Sequence, residues 1–165
     1  MHDDPDPRPV YRAPMRSRSI EAGAFAGATF GLDRGVVGIG EPLERRPADL
    51  GEALLMVVDA HGYKAGRMLA RFAELPEGEF VWTRTSDDEY WLGRIRGPWR
   101  YDDSEEATEV GICQTRPAEW SREPLGFLAV PAAVSMTFSR GGKNLQRIND
   151  EECELLTRDL WKVGT

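Results

Sequence analysis

The sequence predicts an α+β domain whose short strands curl into a small barrel flanked by helices. Two apolar runs, Glu79-Phe80-Val81-Trp82-Thr83-Arg84 and Tyr90-Trp91-Leu92-Gly93-Arg94-Ile95, stand back to back as strands around the acidic turn Thr85-Ser86-Asp87-Asp88-Glu89. Helical spacing of apolar residues precedes them and recurs at the end of the chain. The order is strand, helix, strand, two helices, several short strands and a last helix.

The 165 residues suffice for one domain with its own core, and 41% hydrophobic against 30% charged residues describes a soluble protein. Residues 1–15 carry prolines at 5, 7, 9 and 14, which predicts a flexible or extended arm ahead of a single domain at 16–165. Within that domain, residues 16–20 read as a first strand and 21–30 as a short helix. Gly35-Val36-Val37-Gly38-Ile39-Gly40 reads as a buried strand stopped by Pro42. Pro47-Ala48-Asp49-Leu50 opens a helix to about Asp59, with Leu50, Leu54, Val57 and Val58 at helical spacing. A second helix spans 64–74, with Met68, Leu69 and Phe72 on one face. After the hairpin come a short strand at 98–101, an acidic loop at 102–109, and a strand at 111–120 interrupted near Pro117. A short helix lies within 129–138, a basic glycine-containing loop follows at 139–144, and Asn149-Asp150 caps a terminal helix through Trp161.

The longest apolar stretch, Leu54-Leu55-Met56-Val57-Val58, is far too short for a membrane span. The acidic, proline-rich start does not resemble a secretory signal, so a cytoplasmic location is expected. Cys113 and Cys153 have no metal-ligand spacing and are expected as buried thiols. A net charge of −7 argues against a blanket nucleic-acid binder but leaves room for a local basic face.

Four pieces, taken in order, resemble the N-terminal domain of Mrr-like restriction endonucleases, a relative of PUA-like and EVE-like folds. They are the Gly35–Gly40 run; Ala65-Gly66-Arg67-Met68-Leu69-Ala70-Arg71-Phe72; the hairpin runs beginning at Glu77-Gly78 and Tyr90; and Arg116-Pro117-Ala118-Glu119-Trp120. The resemblance covers roughly residues 16–150. Glu41 stands where that family has a tryptophan. The resemblance implies a small PUA-like barrel that binds DNA or RNA without catalysis, inspects a modified or flipped base in an aromatic pocket, and serves a restriction-associated or defence setting. The 165 residues leave no room for a nuclease domain, so any effector is expected to be a separate chain.

Four of the five tryptophans lie between 82 and 120, and an indole is the best surface on which to stack a ring. Trp82, Trp91, Trp99 and Trp120 are therefore the base-binding candidates, with Thr83 offering a hydrogen bond at the strand end. Each ring has the alternative of filling the core. Arg84, Ser139, Arg140, Lys143 and Asn144 are the phosphate-binding candidates, because cationic, hydroxyl and amide groups beside glycine hold nucleic-acid backbones. Arg16 and Arg18 extend that face. Glu41 and Glu119 lack a paired carboxylate or histidine. His61 sits at a helix end and His2 in the arm, so no catalytic or metal set and no cofactor is expected. Gly38-Ile39-Gly40 lacks the rest of a dinucleotide fingerprint. The rival reading is a protein-interaction module on the same fold, with a closed pocket and an acidic partner-binding face.

Overall fold

The hairpin at the centre of the sheet is formed by β3 (Phe80–Ser86) and β4 (Glu89–Ile95), paired antiparallel from Phe80↔Arg94 to Arg84↔Tyr90, with a bulge before Ser86. A computed structural model describes residues 8–16, 23–40, 42–142 and 145–164. Strand β1 (Val10–Arg12) lies parallel to β3, and β7 (Gln146–Arg147) closes that edge. On the other side, β6 (Gln114–Trp120) pairs with β4 through its last three residues and with β2 (Val36–Ile39) through its first four. The two-residue strand β5 (Arg100–Tyr101) also pairs with β6. The result is an α+β fold with a curled, open half-barrel of mixed strands in the order β2-β6-β4-β3-β1-β7.

Alternation along the hairpin serves two cores. Phe80, Trp82, Tyr90 and Leu92 point into one, covered by α5 (Ala132–Ser139) and α6 (Glu151–Gly164) through Val134, Phe138, Cys153 and Trp161. Val81 and Ile95 point into the other, with α1 (Ala26–Arg34), α2 (Leu50–His61) and α3 (Tyr63–Glu74). Helix α2 begins where Asp49 accepts from the Glu52 amide, and α6 where Asp150 accepts from the Cys153 amide. Both cysteines are buried thiols. No described helix is long and apolar enough to cross a membrane.

Three expectations change. Residues 10–15 are not an arm: β1 joins the sheet, and Val10, Ala13 and Met15 are buried. Proline density hid a strand whose three residues sit between Pro9 and Pro14. The acidic stretch 102–109 is not wholly a loop, because α4 (Glu105–Val110) forms within it. Ser104 Oγ accepts from the Ala107 amide, two glutamates sit in its first turn, and Gly111 ends it in the left-handed region at φ 73°. Finally, β6 runs unbroken through Pro117. There β6 exchanges its neighbour β5 for β4, so the missing proline N–H interrupts no ladder, and the Pro117 carbonyl still accepts from Arg96. The strand expected at 16–20 lies outside the described residues from position 17 onward, and Arg16 itself is not in a strand.

Candidate functional site

A cavity of about 380 Å³ opens between the end of β1 and the α2–α3 hairpin. This volume falls within the ~300–1,000 Å³ typical of small-molecule sites. Its walls come from five places: Ala13-Pro14-Met15-Arg16 after β1, Gly38-Ile39-Gly40 at the end of β2, the helical hairpin, the approach to β6 at Ile112 and Gln114, and Leu145 just before β7. Val57, Met68 and Leu69 make the helical wall apolar, while His61 and Lys64 are exposed where α2 hands over to α3.

Glycines allow these walls to approach one another. A β-carbon on Gly38 would stand 2.4 Å from Ile112 Cγ2 and 2.9 Å from the Gln114 carbonyl oxygen. Met15 is the one described non-glycine residue at positive φ, 47°, and it is buried. Helix α1 clamps it: a β-carbon on Gly27 would lie 1.8 Å from the Met15 carbonyl oxygen, and one on Gly31 2.8 Å from its sulfur. Backbone strain is thus held at a cavity wall by close helix packing.

A second depression, of about 200 Å³, shares Pro14 and Arg16 with the first. Arg12, Arg84, Asp87, Ala24, Phe25, Phe138 and Gly141-Gly142 also line it. Arg12 is almost wholly buried; its Nη1–H group donates to the carbonyls of Thr137 (2.8 Å) and Gly141 (2.9 Å). Gly142, at φ 111°, lets the loop close on that guanidinium, since a β-carbon there would meet Arg12 Nη2 at 2.5 Å. Burial, and then repulsion from Arg140, holds the Arg12 pKa below the usual arginine value. The Arg84 guanidinium carbon lies 5.3 Å from the centre of the Phe138 ring, and Arg84 pairs with Asp87 at 3.7 Å. An anion placed here would meet three arginines, one of them already paired with Asp87, on a partly apolar floor.

The tryptophans are dispersed, and none lines either cavity. Trp82 is fully buried and donates to Thr157 Oγ1 at 3.1 Å, so no face of it is open to a guest. Alternation put Trp82 on the inward face with Phe80, and α6 seals that face. Thr83 is likewise fully buried, its Oγ1 without a partner, and lines neither cavity. Trp91, half-buried, donates to Thr85 Oγ1. Trp120 covers Gly93 and donates to the Val36 carbonyl. Trp99 alone connects to the larger cavity, through Gln114, whose Oε1 accepts its indole N–H at 2.8 Å.

Of the phosphate candidates, Arg84 lines the smaller depression and Arg140 acts on its buried Arg12. Ser139 Oγ–H donates back to the Ser135 carbonyl within α5. Lys143 and Asn144 lie outside the described residues, as do Arg18 and Glu41. The acidic hairpin turn is engaged structurally: Asp88 accepts from the Phe127 amide and Glu89 from Thr85. Glu119 pairs with Arg96 at 2.9 Å.

Sequence reasoning missed Arg12, Met15 and Gln114. For Gln114 the sequence signal was the glycine pair around Ile39, which marks a close approach of chain or ligand; Met15 lies against Gly27 and Gly31, and Arg12 against Gly142. No family model matches the chain, and no curated protein or solved structure matches it either.

Proposed function

We propose that the chain is a PUA-like, non-catalytic nucleic-acid-binding module that takes one base, modified or flipped, into the larger cavity and its phosphate onto the smaller depression. One observation carries this: a cavity of small-molecule size and an arginine-lined hollow share Pro14 and Arg16, so a ligand with a flat end and an anionic end can occupy both. Removing a base from a stack costs a few kcal/mol. Burial against Met68, Leu69, Val57 and Ile39 would offset that cost through apolar contact, in place of the tryptophan cage expected from the sequence. The excess of acid over base across the chain leaves this reading intact, because phosphate contact needs only a local cationic surface. A cytoplasmic setting in DNA-modification sensing or defence, with a separate effector chain, belongs to the same proposal and rests on the resemblance alone.

The test is fluorescence anisotropy at low salt with two single-stranded oligonucleotides, one fully abasic and one carrying a single base. The base-bearing strand should bind more tightly. Arg84→Gln should weaken both strands by a similar factor and flatten the salt dependence. Equal affinity for the two strands, or no binding to either, would remove the proposal.

A further inference from the structure

We infer that the occupant is an internal nucleotide of a strand, gripped by two consecutive phosphates, and that Lys64 holds the second. This deepens the base-binding reading and rests on it. In that reading one phosphate lies in the smaller depression, against Arg12, Arg16 and Arg84. A nucleotide inside a strand has a phosphate on each side of its sugar, so the other must leave across the cavity mouth.

The mouth has cations on both banks. A side chain that lines a cavity and also meets solvent stands at its rim. Arg16 meets both conditions on the β1 side, and His61 and Lys64 meet both on the side of α2 and α3. No described residue lining the cavity is an aspartate or glutamate, although the chain holds 28 acidic residues to 21 basic ones. Among the described residues, neither Arg16 nor Lys64 takes part in an ion pair. The first turn of α3, which carries Lys64, contains no acidic residue. A phosphate arriving at that bank therefore meets an ammonium that no ion pair already engages.

Reach, rather than one fixed pose, is what this rim needs. The lysine ammonium rides on a flexible four-carbon stem and binds phosphate as a point charge. Behind it the helical wall of Val57, Met68 and Leu69 is apolar. The ring is buried against that wall while the charges stay at the solvent edge, where no charge has to be desolvated unpaired. Position along the strand then decides affinity. A nucleotide at either end lacks one phosphate and forfeits one bank.

The experiment measures anisotropy at low salt with abasic single strands carrying one base in the interior, at the 5′ end or at the 3′ end, with the ends unphosphorylated. The proteins are the unaltered chain and Lys64→Gln, each checked for cooperative melting. The unaltered chain should hold the interior base at least about threefold more tightly than a base at either end, the scale of one exposed ion pair. A terminal phosphate added beside an end base should restore the difference. Lys64→Gln should weaken the interior strand and one end-placed strand and leave the other unchanged, because that strand never supplied the phosphate. For the interior strand, the slope of log K against log salt should fall by about 0.7. All three placements bound alike, yet above the wholly abasic strand, would overturn the second phosphate contact and leave the cavity as a base site. Lys64→Gln weakening all three by one factor, or none of them, would also overturn it. No placement bound above the abasic strand would bring down the base-binding reading itself. Should Lys64→Gln fail to melt cooperatively, the three placements in the unaltered chain still decide.

Discussion

Trp120 covers Gly93. A β-carbon at position 93 would stand 2.6 Å from Trp120 Cε3 and 2.8 Å from Cζ3. The two residues face each other in register across β4 and β6, and the indole N–H reaches on to the Val36 carbonyl in β2. One ring therefore ties three strands together, and the glycine beneath it makes room.

Gly93→Ala should lower stability by ~1–3 kcal/mol, because the obstacle is a rigid ring rather than the end of a flexible chain. Urea unfolding followed by tryptophan fluorescence measures the change. A variant as stable as the parent would show that the ring can move aside without loss, and that Trp120 is not fixed by its strand contacts.

The same pair illustrates what the sequence discloses. The hairpin, α2, α3 and the terminal cap are legible because each rests on local pattern: period-two alternation through Phe80 and Trp82, helical spacing through Leu50, Leu54 and Val57, and a capping carboxylate at Asp150. Sites are harder to foresee, since they join residues far apart in the chain. Arg116 reads as a basic strand residue, but it is buried, with Nε donating to Gly97 and Nη1 to Phe72 and Leu75, locking α3 onto the sheet. Arg12 was concealed in the same way, inside a proline-dense stretch whose pairing with β3 spans seventy residues of register, from Val10 to Phe80. Aromatic density drew attention to four indoles, yet the cavity formed where glycines and a helical hairpin leave space.

Trp82 should prove separate from the cavity in experiment. Trp82→Phe removes the bond to Thr157 and leaves space in a sealed core, which should cost ~1–3 kcal/mol in unfolding free energy. Its affinity for a base-bearing oligonucleotide should remain that of the parent under conditions where both are folded. Chemical denaturation and anisotropy on the same preparation check both halves. A folded Trp82→Phe protein with markedly weaker base binding would return this indole to the site and contradict the sealed packing.

Glu79 provides a pH dependence. It is 5% exposed, its Oε2 is buried with no partner, and burial pushes its pKa above the ordinary 4.5, reinforced by the charge of Glu154 and opposed by Arg8, Arg147 and Arg94. The folded pKa thus exceeds the unfolded one, so the folded state binds the proton more tightly. The stabilisation is fully present below about pH 4.5 and is lost as pH rises through the folded value. Glu79→Gln keeps the shape and removes the ionisation. Its melting temperature should exceed the parent's at neutral pH, and the gap should close as pH falls toward the unfolded carboxyl value. Melting curves of both proteins between about pH 4 and pH 8 test this, across the interval over which a raised carboxyl pKa acts. A variant less stable than the parent at neutral pH would mean that attraction to the three arginines outweighs burial, and that Glu79 is held as a carboxylate.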